Sequence, residues 1–266
     1  MRISGLIIIA SLFFSGCSLI PEQIDVTENW SASKFYSEGK NALAEGDFES
    51  AIKFYEQLEA RFPFGKYAQQ AQVEIAYAYY KYDEPESALI AADRFIKLYP
   101  RHPHVDYLYY LKGLVNFNSG KDLVSKYIPQ DPTQRDPGAA RASFDDFSVL
   151  VRKFPTSKYS EDARQRMLFL RNNLAEYEIH VARYYMKRQA YLAASNRAKY
   201  VVENYQKTTA VPKALSIMTT AYQAIGLEDL SKDAMRVLMK NYPNYQDGAA
   251  AQADTSESSW IPWKPF

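Results

Sequence analysis

Few residues in this chain could do chemistry, and their spacing narrows the choice further. Its three histidines are His102, His104 and His180. His102 and His104 flank Pro103 in a connection, and no cysteine or third ligand is spaced with them for tetrahedral zinc. They read as structural or solvent-exposed, and neither a metal nor any other cofactor is expected. Asp145-Asp146 and Glu161-Asp162 are adjacent carboxylates. Such pairs could serve an enzyme of the cell wall, but near helix starts they complement the helix dipole, and that is the reading adopted. No glycine-rich loop is present to cradle a phosphate. The net charge is +1, from 32 basic and 31 acidic residues, so nucleic acid would feel no long-range pull. The residues point to a protein that binds and does not catalyse.

Cys17 is the exception. It is the only cysteine, so an internal disulfide is impossible, and its surroundings supply another role. Met1-Arg2 forms a short positive start, and Ile3 to Phe14 is an apolar run too short to span a bilayer at ~1.5 Å per residue. The run ends in Phe14-Ser15-Gly16-Cys17. Small residues just before a cysteine resemble a bacterial lipobox, in which the sulfur is lipidated and the cysteine becomes the new N-terminus. Phe14 stands where leucine is usual. Residues 1–16 then read as a signal peptide and 17–32 as a lipidated tether. Ser18 replaces the aspartate that marks inner-membrane retention, which favours the outer membrane. Acyl chains anchor by burying methylenes worth ~0.8 kcal/mol each. No second apolar run is long enough to span, so everything after Cys17 is expected on the periplasmic face, tethered and soluble.

The elements that follow are written twice in plain view. Asp47 to Pro63 and Glu84 to Pro100 are both amphipathic helices with a small residue near the start, Ala51 or Ala88, and an aromatic-proline stop. The small residue admits a neighbouring helix; the proline lacks an N–H and ends its own. The stops are 37 residues apart, a period that signals stacked supersecondary units. Ala32 to Glu45, with Phe35, Gly39 and Ala42 at helical spacing, supplies the partner of the first. Small residues recur twelve before each later stop, at Ser143, Ala194 and Ser231, and an aromatic precedes each stop at Phe62, Tyr99, Phe154, Tyr205 and Tyr242. The spacing resembles tetratricopeptide repeats, so the predicted fold is an all-α solenoid of five helical hairpins.

Two intervals exceed the period. From Pro100 to Pro155 is 55 residues, and the excess falls in an insertion at 120–138 within the third hairpin. From Pro155 to Gln206 is 51 residues, and Ser160 to Arg188 lacks proline and glycine, which predicts one long helix. The expected organisation is three units over 33–156, two over 157–243, and a disordered tail over 244–266 that closes on Trp260-Ile-Pro-Trp-Lys-Pro-Phe266. That aromatic end is either a remnant or a short docking peptide.

With catalysis set aside, what remains is a surface. In such repeats the first helix of each hairpin lines the concave face. The register places Ser33, Tyr36, Lys40 and Leu43 there in unit one, and Gln70, Val73, Tyr77 and Tyr80 in unit two. Unit three adds Tyr107, Tyr110, Leu114 and Phe117, although Lys112 then falls at a position that ought to be apolar. Unit four gives Glu176, Ile179, Arg183 and Met186, and unit five Lys213, Ser216, Thr220 and Gln223. The groove passes from aromatic to polar; the first suits an extended apolar peptide and the second a folded partner. Tyr36, Leu43, Val73, Tyr77, Tyr80, Tyr110 and Phe117 are the candidate groove residues. Packing between helices is the other reading of these side chains, and both stay open here.

The run RDPGAARASFDDFSVLVRKFP, Arg135 to Pro155, with Tyr159 to Ala163 and Leu174 to Glu178, resembles the BamD (ComL) family, lipoproteins of the outer-membrane β-barrel assembly machinery. The resemblance covers the lipobox and all five units and leaves the tail outside. It implies N-terminal units that contact the C-terminal signals of unfolded barrel proteins, and C-terminal units that bind the last POTRA domain of the barrel subunit BamA beside other Bam lipoproteins. Asn196-Arg197 matches the family's pair whose arginine touches that domain; on the residues alone Arg197 is a solvated charge. A periplasmic scaffold of another export, competence or cell-wall system is the alternative.

Overall fold

The computed structural model describes residues 26–119, 131, 133 and 136–246. The expected signal peptide, Cys17, most of the expected 120–138 insertion and the tail from 247 onward lie outside the described residues. Among the described residues the chain forms ten helices and no strand. They are α1 (Ala32–Glu45), α2 (Phe48–Arg61), α3 (Lys66–Lys81), α4 (Pro85–Leu98), α5 (Val105–Asn118), α6 (Gly138–Lys153), α7 (Ser160–Lys187), α8 (Tyr191–Asn204), α9 (Ala210–Ala224) and α10 (Glu228–Asn241). Each packs on the next, giving five stacked hairpins of the tetratricopeptide type.

Local chemistry fixes where these helices begin and end. The Ser31 hydroxyl caps α1 by accepting from the Lys34 N–H at 3.3 Å, and the Asp47 carboxylate caps α2 by accepting from Ser50 at 3.0 Å. That bond holds the Asp47 carboxyl below its ordinary range. Gly46 joins the two helices at φ +82°, a conformation that costs glycine nothing. The five aromatic stops share one geometry, with φ from −135° to −118° and ψ from 42° to 65°. Each donates its N–H to the carbonyl four residues back at 2.8–2.9 Å. Tyr205 does so with no proline after it, so the stop is made by the aromatic residue, whose ring packs on the core.

The small positions explain how the hairpins close. Gly39 of α1 lies against the Tyr55 ring of α2 so closely that an added Cβ would stand 2.5 Å from it; at Gly113 of α5 the Phe147 ring of α6 would be 2.4 Å away. Phe147 follows Ser143 as Tyr55 follows Ala51, so the third hairpin repeats the first despite its insertion. The serines at small positions do more than leave room. Ser143 donates its hydroxyl to the Gly113 carbonyl, and Ser231 to that of Thr219, both at 2.9 Å.

Three sequence expectations are corrected. Lys112 is no misplaced apolar residue: its ammonium lies 2.8 Å from Asp93 and 3.2 Å from Asp146. Burial works against that charge, but the two carboxylates outweigh it and raise the lysine's pKa. Asp145-Asp146 therefore sit in the middle of α6, where Asp146 ties α5 to α6, and not at a helix start. Ile179 is fully buried among Ala175, Ala198, Val201, Ala210 and Ala214, so it is core and not groove. The long α7 has its N-terminal half on α6 and its C-terminal half on α8 and α9, which turns Ile179 inward.

Gly113→Ala is expected to lower the urea-unfolding stability by about 1–3 kcal/mol, because the Phe147 ring must move. In Gly138→Ala the nearest atom is a flexible Asp136 carboxylate oxygen, and the change should stay within about 0.5 kcal/mol.

Candidate binding surface

The packing defines an inner layer. Among the described residues α1, α3, α5, α7 and α9 each lie backbone to backbone against the next odd-numbered helix, whereas the backbones of the even-numbered helices stay apart and α4 reaches α2 only through the long Arg94 side chain, 3.7 Å from Glu59. The even helices therefore fan outward, and the array curves with the odd helices inside.

The candidate groove residues fall on this layer and are half-buried. Tyr36 lies 5.7 Å from Tyr67 and 6.1 Å from Tyr55, centroid to centroid. Leu43 packs on the same cluster, while Val73, Tyr77 and Tyr80 pack on the next along the array. The Tyr77 and Tyr80 rings are 6.5 Å apart, and Asn118 donates to the Tyr80 hydroxyl at 2.7 Å. Tyr110 stacks on Tyr159 at 4.9 Å with only 18° between planes, and donates its hydroxyl to Asp162 at 2.6 Å. Phe117 carries the Arg166 guanidinium on its face at 4.9 Å and lies 5.9 Å from the Phe169 ring, tilted by 52°. Both readings of these side chains thus hold together: each packs on core or on a neighbouring side chain and keeps part of its surface exposed.

Their titration supports the same use. Burial raises the pKa of Tyr36, Tyr80 and Tyr110, and the Asp162 carboxylate pushes Tyr110 further up. The hydroxyls stay neutral across physiological pH, so this part of the layer offers apolar faces edged with uncharged polar groups.

The second candidate region is ionic. Glu178 of α7 is 1% exposed, yet it is a carboxylate, and a buried carboxylate needs partners. Arg141 of α6 reaches Oε1 at 3.1 Å and Arg197 of α8 reaches Oε2 at 3.2 Å. Arg197 is thus no freely solvated charge. One side of its guanidinium is fixed by Glu178 while the side chain remains 48% exposed. Asn196 beside it is exposed. Farther along, Lys213 bonds both oxygens of Glu176 at 3.0 Å, tying α9 to α7.

Counting along helices missed Tyr159, which sits just before α7, and Arg166, Asp162, Arg141 and Glu178. No periodic signal marks Tyr159. The signal for Glu178 was its place beside Ile179 on the buried side of α7. Of the histidines, His102 stacks edge-on to Phe95 at 5.1 Å and His180 shares a 2.8 Å hydrogen bond with Thr133. Among the described residues no group of three or more His, Cys, Asp or Glu could hold a metal ion.

Fold and surface define a class: a helical-repeat protein with an aromatic inner face at one end and anchored arginines toward the other. The family described as outer membrane lipoprotein (YfiO) matches residues 28–248. The outer membrane protein assembly factor BamD of Neisseria meningitidis serogroup A is 44% identical over 87% of this chain and 88% of that one. The Vibrio cholerae protein of the same name is 37% identical over 90% of this chain and 97% of its own. The chain belongs to the BamD (YfiO) family of outer membrane lipoproteins. Among solved structures, the MamA protein aligns at 14% identity over 79% of this chain and 90% of that one, with a TM-score of 0.38, a superposition too loose to carry an inference. Among the described residues no helix is long and apolar enough to cross a membrane.

Glu178→Gln should lower unfolding stability by about 1–3 kcal/mol, since two guanidiniums lose their shared charge inside the fold. Glu228→Gln, at an exposed pair with Lys232, should change it by under about 0.5 kcal/mol in the same urea titration.

Proposed function

We propose that this protein is a lipid-anchored, non-enzymatic adaptor of outer-membrane β-barrel assembly. Cys17 carries the anchor. Units one to three, over 33–156, hold the extended C-terminal segment of an unfolded barrel protein, and units four and five, over 157–243, dock on the POTRA domain of BamA beside other Bam lipoproteins. The observation that carries this reading is the series of half-buried aromatic rings along α1, α3 and α5, from Tyr36 through Tyr77 and Tyr80 to Tyr110 and Phe117. Half-exposed rings with neutral hydroxyls suit a peptide that brings an aromatic side chain and its own backbone donors and acceptors.

The docking half rests on Arg197. A guanidinium fixed on one side by a buried carboxylate has already lost much of its side-chain freedom, so an acidic group on a folded partner meets an oriented donor. Asn196, on the next residue, adds an uncharged amide at the rim. Holding substrate and insertase on one chain raises the effective concentration of each at the other. Family membership supports the assignment, since the relatives are named as outer membrane protein assembly factors. Nothing in the charge balance favours a nucleic-acid partner.

Photo-crosslinking probes at Tyr36, Tyr77 and Tyr80 should capture a barrel precursor, and capture of none of these precursors would sink the peptide half. Arg197→Glu should weaken recovery of BamA by roughly tenfold or more, about 1.4 kcal/mol, while leaving precursor capture intact. Recovery of an exporter without BamA in a tagged purification would instead favour the alternative scaffold.

A further inference from the structure

A cavity of about 230 Å³ lies between α2 and α4, the outer helices of the first two units, with α3 as its floor. Its lining offers acceptors that nothing satisfies. Gln72 of α3 is only 7% exposed, and among the described residues its Oε1 accepts no hydrogen bond; neither does the buried Oε1 of Glu59 on α2. Glu56, one turn before Glu59, takes the Tyr79 hydroxyl at 2.7 Å. Among the lining residues Arg94 of α4 is the cation, yet its guanidinium stands 3.7 Å from Glu59 and the side chain is 62% exposed. That is too far for a hydrogen bond. Burial raises the Glu59 carboxyl above its ordinary range, although Arg94 and the Gln72 amide draw it down. Two carboxylates against one loosely held guanidinium leave the cavity short of positive charge.

The fourth unit shows what such a place accepts. Gln72 and Glu178 are equivalent positions: each stands four residues before a fully buried alanine, Ala76 or Ala182, which is itself twelve before the small residue of the next helix, Ala88 or Ala194. Glu178 takes Arg141 from one flanking helix and Arg197 from the other. By the same count Arg197 corresponds to Ala91 and Arg141 to Glu49. Unit two therefore keeps the buried acceptor and has neither arginine, and Ala91 lines the cavity where the longer side chain would run.

We propose that this cavity receives the guanidinium of an arginine carried by an extended segment of a partner protein, at a site on the face opposite the aromatic inner layer. The forked donors of arginine suit acceptors on two different helices better than the single point charge of lysine does. Size agrees with a single side chain, since pockets for whole small molecules run to about 300–1,000 Å³. Ile90, 69% exposed in the lining, offers an apolar surface to the methylene stem. Free arginine fits less well, because it would bring its own carboxylate toward Glu56 and Glu59. Arg94, exposed and held by no hydrogen bond, is free to swing aside.

The test is NMR of the glutamine side-chain amides in the lipidated full chain held in nanodiscs, with the Gln72 signal assigned by Gln72→Glu. The probes are three acetylated and amidated tripeptides that carry arginine, lysine or alanine between two glycines. The arginine peptide should shift the Gln72 signal saturably, and the alanine peptide should leave it in place. Glu59→Gln keeps the shape of the site and should weaken the arginine peptide about tenfold, through loss of a charge-assisted bond. Ala91→Arg should abolish the response by filling the cavity with the chain's own guanidinium, whereas Glu228→Gln should leave it unchanged. An arginine peptide that does not move the Gln72 signal would overturn the proposal. So would a response of undiminished affinity in Glu59→Gln, or one that the lysine peptide reproduces at the same concentration.

Discussion

Helix-to-helix approach at the small positions is the constraint on which the array rests. Where Gly39 meets Tyr55 and Gly113 meets Phe147, an aromatic ring fills the space a Cβ would take. At Ser143 and Ser231 the backbones come close enough for a hydroxyl to reach the neighbouring helix carbonyl. Each contact sets the separation of one hairpin's helices and, through it, the angle at which the next hairpin stacks. Dispersion from a close-packed ring is short-ranged, so a shift of a few tenths of an ångström forfeits much of it. The repeat is therefore regular because its tightest contacts are unforgiving.

From that regularity the candidate surface follows. The odd helices touch along the inside and the even ones fan outward, so side chains on the inner layer have core behind them and stay partly exposed. In the first three units these are aromatic rings. By the fourth and fifth, ionic ties dominate instead: Glu178 between Arg141 and Arg197, and Glu176 with Lys213. The 28 residues of α7 belong to both regions. Its N-terminal half supplies Asp162 and Arg166 to the aromatic region, and its C-terminal half supplies Glu178. A rigid helix of about 42 Å thus fixes the two surfaces relative to one another, as an adaptor with one partner at each would require.

The end of the array is governed by the same rule as its middle. Each second helix keeps an apolar strip for the hairpin that follows, and α10 retains the strip although no further hairpin stacks on it among the described residues. Met235 and Met239, both partly exposed on α10, are the consequence.

Much of the fold was legible in the sequence because it is local and repeated. Small residues, aromatic stops and capping side chains act within one helix or between two adjacent ones, so their spacing alone placed Ala51, Ala88, Ser143, Ala194 and Ser231. The same count placed Tyr36, Tyr77 and Tyr80 on one layer. It failed where contacts join residues distant in the chain. Tyr159 stacks on Tyr110 from outside any helix, and Lys112 is satisfied by Asp93 and Asp146 on two other helices. Ile179 turns inward because the long α7 is claimed by two neighbouring units at once, and Arg197 is oriented by a buried carboxylate nineteen residues before it. Periodicity records which face of a helix is buried. Only the tertiary structure decides what lies against that face, because burial of a charge or a ring depends on the partners that packing delivers.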